Sequence, residues 1–248
     1  MYKKYILILG LALHYCLAFC QDLPNSPQIR GSASLGTGFF VSNDGLLVTA
    51  LHVVDDKTKI LIRSVNQEGW ISAALVASNP AYDLALLRVP VSSKGLYFAS
   101  WEQVPVGLEL FVIGYPLLSK SSHSIRITDG LLNGLGGIGE RADLLFQFSA
   151  QVQKGNSGGP VLSCDGVVIG VVQSKLDVLK AAQKTNDFYQ GVNFALKGSV
   201  VESFLSQNHE NFARKNLNLR DCKRPYEILN ISEGSIVQIM AFKVSPTQ

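Results

Sequence analysis

The sequence has few cysteines, and half of them lie close to the amino terminus. The 248-residue chain contains four cysteines, and Cys16 and Cys20 belong to an apolar N-terminal stretch. The remaining two, Cys164 and Cys222, are too few for a zinc ribbon or for a scaffold held together mainly by disulfides. Their spacing is compatible both with a disulfide and with two buried thiols, so both interpretations stay open.

The net charge of the chain is also small. The chain has 22 basic and 19 acidic side chains, which leaves a formal net charge of +3. Because a nucleic-acid-binding surface needs a concentrated basic patch, this even balance argues against one. We therefore expect no nucleic-acid partner.

The N-terminal apolar stretch is short for a membrane span. Lys3 and Lys4 precede it, and it ends in small residues, a pattern typical of a secretory signal peptide over residues 1–20. Two alternatives stay open, an uncleaved anchor and a lipid-modified Cys20, and the bulky Phe19 argues against the second. The sequence therefore predicts an exported protein, periplasmic or secreted, which meets the membrane only under one of these alternatives.

Short runs rich in β-branched and aromatic residues recur along the rest of the chain. They include GTGFFVS, GLLVTA, TKILIRSV, ISAALVAS, DLALLRVP, LELFVIGYP, DLLFQFSA, GPVLS and GVVIGVVQS. Many short strands separated by turn residues favour an all-β fold, either a closed barrel or a sandwich. Two halves can be drawn, about 30–104 and 105–197, joined by WEQVPVG.

Helix signals are few. One short turn is predicted around LHVVD, and GSVVESFLSQNHE has apolar residues at helical spacing. This predicted helix would close a main domain over residues 21–207. The more polar residues 208–248, which end in the strand-like SIVQIMAFKV, are interpreted as an extension of unknown role against the core, with a partly ordered tail as the alternative.

One set of residues has the chemistry for hydrolysing an amide. Such a reaction needs a serine hydroxyl, a base, an acid that orients the base, and donors for the developing oxyanion. His52 follows an apolar strand and begins a helical turn, where its ring can be held rigidly. His123 and His209 are the other two candidate bases, but both occur in polar segments.

Asp83 is the preferred acid. It leads the apolar run DLALLRV, where a carboxylate is costly unless it is paired, so a histidine partner would explain its position. A strand cap bonded to backbone N–H groups is the simpler alternative. Asp143, in ERADLLFQF, is the alternative acid, since Asp55 and Asp56 are too close to His52 in sequence to reach its ring.

The segment KGNSGGPV supplies the candidate nucleophile, Ser157. Its glycines allow backbone angles closed to other residues and let a substrate carbonyl approach the chain. The N–H groups of Gly155 and Ser157 can then converge on an oxyanion. A plain surface turn would need only one glycine and no apolar strand behind it.

At these residues the chain resembles the trypsin-like serine proteases, and within them the high-temperature-requirement (HtrA or Deg) branch. The matching stretches are GTGFFVSNDGLLVTALHVV, NPAYDLALLRV, LELFVIGYP, GNSGGPVLSCDGVVIGVVQS and GVNFALKGSVVESFL. The resemblance implies two antiparallel β-barrels of the chymotrypsin type with the site between them. It also implies that His52 is the general base, Asp83 its orienting partner and Ser157 the nucleophile.

The chain also departs from that branch. The residues beyond Gln207 are too few for the PDZ domain that branch members usually carry, so we expect a protease domain alone, as a monomer or a small homo-oligomer. Gln151 and Gln173 are the candidates for lining the specificity pocket. The stretches around them hold no acidic residue, which argues against cleavage after Lys or Arg, and the resemblance implies a small or medium apolar residue before the cut.

The leading hypothesis is therefore an exported serine endopeptidase acting on unfolded or envelope polypeptides, without a metal or an organic cofactor. A catalytically silent binding or chaperone-like protein of the same fold is the alternative. A glutamate-specific protease would need a base in its pocket, and neither stretch supplies one.

Overall fold

Strands dominate the part of the chain that the computed structural model describes, namely residues 29–57, 59–66, 68–117, 124–137, 139–173, 192–208 and 210–244. The predicted signal peptide, Cys20, His123 and His209 lie outside these residues. Residues 31–243 form one compact unit, and of the residues outside it only 29, 30 and 244 are described.

Twelve strands form two closed antiparallel barrels of six strands each. The first consists, in order around the barrel, of β1 (Ile29–Phe40), β12 (Ile236–Val244), β3 (Lys59–Ser64), β4 (Ile71–Asn79), β5 (Leu84–Arg88) and β2 (Leu46–Ala50). The second consists of β10 (Val168–Val172), β11 (Asn193–Lys197), β8 (Leu145–Phe148), β7 (Arg126–Gly134), β6 (Glu109–Gly114) and β9 (Pro160–Ser163). The all-β double barrel is therefore confirmed.

Alternate residues of β2 and β5 enter two different parts of the core. Leu47 and Leu87 join a cluster made only of first-barrel side chains. Leu46 and Leu86 join a larger cluster that also contains second-barrel side chains such as Phe111. Because side chains alternate across a strand, a strand between two apolar regions is apolar along its whole length. These two strands, which lead to the candidate site, are therefore held from both sides.

The first barrel is closed by the end of the described chain. β12 pairs antiparallel with β3, placing Val237 opposite Ser64 and Ile239 opposite Ile62. Val237 and Ile239 are fully buried in the first-barrel cluster. The sequence predicted this half over about 30–104, but those residues supply only five of the six strands of the first barrel.

Helices are short and peripheral. They are α1 (Leu51–Val54), α2 (Gly198–Gln207) and α3 (Pro225–Ser232), with 3-10 turns at Trp101–Gln103, Gly139–Leu144 and Glu233–Ser235. The sequence predicted α1 and α2 but not α3. Pro225 at its first position and the bond from Arg224 N–H to the Glu227 carboxylate, 2.8 Å long, mark its start. Within the described ranges, no helix has the length and apolarity needed to span a bilayer.

Residues 210–224 are fixed to both α2 and the second barrel. The Arg214 guanidinium donates two hydrogen bonds to the Glu202 carboxylate, at 3.0 and 2.9 Å. A disulfide joins Cys222 to Cys164, which directly follows β9, and the two cysteines are 58 positions apart in sequence. This segment therefore carries the chain from the second barrel back to β12 in the first.

Removing the disulfide is expected to destabilise the protein. Cys222→Ser should lower the free energy of unfolding by about 3 kcal/mol, because the unfolded chain loses a long covalent loop. Thermal unfolding of the oxidised wild type with and without dithiothreitol checks this, and the double variant with Cys164→Ser controls for the freed thiol. A wild type whose Tm does not respond to reduction would contradict the expectation.

Candidate active site

The ends of β2 and β5 bring His52 and Asp83 together. Ala50 pairs with Leu84 across these strands, so α1 begins beside the residue that precedes β5. His52 Nδ1 lies 2.7 Å from Asp83 Oδ2, and the His52 backbone N–H donates to Asp83 Oδ1 at 2.9 Å. The Asp83 carbonyl accepts the Leu51 N–H at 3.0 Å. Asp83 therefore holds both the ring of His52 and the helical turn that carries it.

Asp83 adopts a left-handed backbone conformation, with φ of 53°. Aspartate tolerates this region better than most residues, but a single position of this kind still costs on the order of 1–3 kcal/mol. Here the conformation directs the carbonyl and the carboxylate of the same residue toward α1. The Asp83 carboxylate thus contacts both a backbone N–H group and the His52 ring, and its role as the orienting acid stays a prediction.

Asp143, the alternative acid, and the two aspartates set aside from the sequence have different contacts. The Asp143 carbonyl accepts a hydrogen bond from Lys197 Nζ at 2.6 Å. Asp56 forms an ion pair with Lys243, and Asp55 lies at the end of α1, where its N–H donates to Leu51 O. Among the described carboxylates, the Asp83 carboxylate alone has a hydrogen bond to the His52 ring.

The Ser157 loop, defined as residues 154–158, is placed against the first barrel. The Thr37 N–H donates to the Ser157 carbonyl at 3.0 Å. Gly158 has φ of +82°, and a Cβ atom there would lie 2.5 Å from Ala50 N. Only glycine allows this close approach to the residues that lead into α1. The loop and His52 therefore meet where the two barrels adjoin.

Several polar groups of the Ser157 loop are free. Among the described residues, the Ser157 hydroxyl and the N–H groups of Gly155 and Ser157 have no hydrogen-bond partner, His52 included. By contrast, the Lys154 carbonyl accepts the Leu117 N–H at 2.7 Å, and the Gly155 carbonyl accepts the Thr37 hydroxyl at 2.7 Å. The loop thus has its carbonyls fixed and two donors available.

The Tyr115 backbone lies directly against Gly155 of the Ser157 loop. Gly155 has φ of +101°, and a Cβ atom there would lie 2.5 Å from the Tyr115 carbonyl oxygen. Burial raises the pKa of the Tyr115 phenol to about 12, so that this side chain stays neutral at ordinary pH.

The two pocket candidates have different surroundings. Gln151 is exposed and lines a cleft of about 360 Å³ together with Asn156, Gln153 and Leu229. Gln173 is buried, and its backbone N–H donates to Phe194 O at 3.2 Å. Residues 174–191, which follow Gln173, lie outside the described ranges. The assignment of these two glutamines to a specificity pocket stays a prediction.

Sequence reasoning missed the groups that fix the Ser157 loop. Thr37 and Leu117 contact it through hydrogen bonds, yet neither is near it in sequence. The only available signal was a threonine between two glycines in GTGFF, near the end of β1.

A comparison with solved structures gives the class of fold. The HtrA-type protease AlgW, solved with a decapeptide, superposes with a TM-score of 0.58 at 21% identity, covering 70% of this chain and 51% of AlgW. This likeness shows the fold, a double barrel of the trypsin-like type. The sequence model of the trypsin-like peptidase domain matches residues 36–171, and the chain belongs to that family.

Two of the three relatives compared by sequence are named as serine proteases. The chain is 42% identical over 182 residues to the uncharacterized protein y4bJ of Sinorhizobium fredii, covering 73% of this chain and 28% of y4bJ. It is 31% identical to a probable periplasmic serine endoprotease DegP-like of Chlamydia muridarum, covering 73% of this chain and 35% of the relative. Serine protease HTRA1 of Xenopus tropicalis is 26% identical, with 84% and 43% covered. The chain thus spans less than half the length of these relatives.

Proposed function

We propose that this chain is an exported serine endopeptidase that hydrolyses peptide bonds of unfolded or envelope proteins with His52, Asp83 and Ser157. One observation carries the proposal. Asp83 binds both the ring and the backbone of His52, at 2.7 and 2.9 Å, beside a serine loop with two free N–H donors.

In the proposed acylation step, Ser157 Oγ attacks the carbonyl carbon of the scissile bond. His52 Nε2 takes the hydroxyl proton, and the carboxylate of Asp83 stabilises the resulting imidazolium through Nδ1–H. The negative charge that forms on the substrate oxygen is stabilised by the N–H groups of Gly155 and Ser157.

Collapse of this tetrahedral intermediate breaks the C–N bond, and His52 returns its proton to the leaving amine. A water molecule then attacks the acyl-enzyme ester and gives its proton to His52. The second tetrahedral intermediate releases the acid product, and the Ser157 oxygen regains its proton from His52. The enzyme therefore ends the cycle in its starting protonation state.

Export is part of the proposal. Two observations support it, a disulfide between Cys164 and Cys222, which suits an oxidising compartment, and DegP-like relatives that are named as periplasmic. On this account residues 1–20 are a signal peptide, residues 21–207 the catalytic domain, and residues 208–248 an extension whose β12 belongs to the catalytic fold.

The specificity of the proposed enzyme is for apolar side chains before the cut. Gln151 and Gln173, the two candidate pocket residues, are uncharged, and so is the cleft beside Gln151 apart from Arg126. A pocket of this composition lacks the carboxylate that would select Lys or Arg.

Casein cleavage tests the proposal. The signal-free protein should degrade unfolded casein, with cuts after small or medium apolar residues in a peptide map. Ser157→Ala should lower the rate about 10⁶-fold, to the detection limit, with an unchanged Tm. Intact casein that is nevertheless kept from aggregating would instead support a binding or chaperone-like role.

A further inference from the structure

We infer that Thr37 is a positioning residue that holds the Ser157 loop with its N–H donors available for catalysis. The inference rests on the proposed function, because it concerns the donors that would bind the oxyanion. Thr37 belongs to β1 of the first barrel, whereas the Ser157 loop precedes β9 of the second.

Thr37 is fully buried and uses all its polar groups. Its hydroxyl donates to Gly155 O at 2.7 Å and accepts the Tyr115 N–H at 3.0 Å. Its backbone N–H donates to Ser157 O at 3.0 Å, and its carbonyl accepts the Thr49 hydroxyl at 2.7 Å. Two of these four bonds go to the Ser157 loop, and a third goes to Tyr115, which lies against Gly155 of that loop.

These bonds control where the loop's N–H groups point. In a trans peptide the C=O and the N–H point in opposite directions, so a fixed carbonyl fixes the amide of the next residue. Leu117 N–H fixes Lys154 O, and thereby the Gly155 N–H. Gly159 N–H fixes Asn156 O at 3.0 Å, and thereby the Ser157 N–H. The Thr37 hydroxyl fixes the peptide between these two.

That middle peptide is the weak point of the loop. It follows Gly155, which has φ of +101° and no side chain to restrict rotation. If the Gly155 carbonyl lost its donor, rotation about the glycine would turn the flanking peptides and withdraw their N–H groups. The Thr37 hydroxyl opposes this rotation from the carbonyl side of the peptide, and Gln153 O, which accepts the Asn156 N–H at 3.0 Å, holds its other side.

The position requires a hydroxyl specifically. One atom must donate to Gly155 O and accept from Tyr115 N–H at the same time, which a hydroxyl can do and a methyl group cannot. Valine has the shape of threonine without this capacity, and serine has the capacity without the methyl group. The pair Thr37→Val and Thr37→Ser therefore separates the hydrogen bonds from the packing.

Ser163→Ala supplies a matched control at the other end of β9. The Ser163 hydroxyl is also fully buried. It accepts the Val167 N–H at 3.1 Å, and two acceptors lie within reach of its proton, Asp165 Oδ1 at 2.6 Å and Val167 O at 3.0 Å. Losing it should lower the Tm much as Thr37→Val does, but it does not contact the Ser157 loop.

The experiment combines kinetics with amide hydrogen exchange, measured on all four proteins well below the lowest Tm. Thr37→Val should lower kcat about 10²-fold with KM within about threefold, the effect of losing one oxyanion donor. Residues 153–159 should exchange faster in that variant. Thr37→Ser should restore both readouts to near wild type, and Ser163→Ala should change neither.

Two outcomes would overturn the inference. One is a Thr37→Val protein whose loop exchanges as slowly as the wild type, and the other is an equal loss of kcat in Ser163→Ala. A wild type that cleaves no casein would contradict the proposed function instead, while the exchange rates of residues 153–159 would still decide whether Thr37 holds the loop.

Discussion

Asp83→Asn is expected to lower kcat about 10⁴-fold while leaving the fold intact. Asparagine also tolerates the left-handed backbone at this position, where φ is 53°. Its amide oxygen can still accept the His52 backbone N–H that Asp83 Oδ1 now accepts at 2.9 Å. Its NH₂ group, however, would then face His52 Nδ1 and force the proton onto Nε2, so that the ring could no longer accept the Ser157 proton.

Asp143→Asn is the matched control for this prediction, because Asp143 was the other candidate acid. Its carbonyl, not its carboxylate, contacts Lys197, and its variant should keep kcat within about twofold of the wild type, the small effect expected of a surface change. Steady-state kinetics on a chromogenic peptide and thermal unfolding check both variants. An Asp83→Asn enzyme with more than a tenth of wild-type kcat would rule out Asp83 as the orienting acid.

Removal of β12 is expected to unfold the first barrel and abolish activity. A chain ending at Ser235 loses the strand that pairs with β3. With it go Val237, Ile239 and Ala241, which are fully buried in the first-barrel cluster, so that the remaining side chains of that cluster become exposed. Burying each large apolar side chain contributes about 1.5–3 kcal/mol, so the loss approaches the whole stability of a typical domain. Because His52 and Asp83 both depend on this barrel, activity should disappear with it.

A chain ending at Val244 is the control, since it keeps β12 and loses only residues 245–248. Circular dichroism, thermal unfolding and casein cleavage compare the two truncations. If the chain ending at Ser235 unfolded at the wild-type temperature and still cleaved casein, β12 would not be needed for the barrel that holds His52.

Much of the fold could be predicted because the relevant information is local. GLLVTALH and DLALLRV are apolar over most of their length, as strands held between two apolar regions are. β7 was missed because RITDGLLNG mixes Asp, Gly and Asn into a strand that is largely exposed. Turn residues of this kind conceal a strand whenever its side chains do not need to be buried.

The place of β12 could not be predicted from local patterns. SIVQIMAFKV is visibly strand-like, yet its partner β3 lies more than 170 residues earlier in the chain. The apolar face of a strand indicates that it is buried, but not which sheet edge it completes. The same reasoning applies to Cys164 and Cys222, whose bond depends on how residues 210–224 return along the second barrel.

For a physical reason, some residues of the candidate site could be proposed from the sequence and others could not. Asp83 could be chosen because a carboxylate at the head of a buried strand needs a partner, and this argument requires only the sequence. Thr37 could not, because a buried hydroxyl is equally satisfied by many neighbours. Its role emerges only from the distances to Gly155 O and Tyr115 N.

The most direct test of the account is fluorophosphonate labelling of the oxidised, signal-free protein, followed by mass spectrometry of the labelled peptide. The account predicts one label per chain, on Ser157, and none on Ser157→Ala. A folded, disulfide-bonded protein that takes up no label, or takes it up at a residue other than Ser157, would contradict the assignment of Ser157 as the nucleophile.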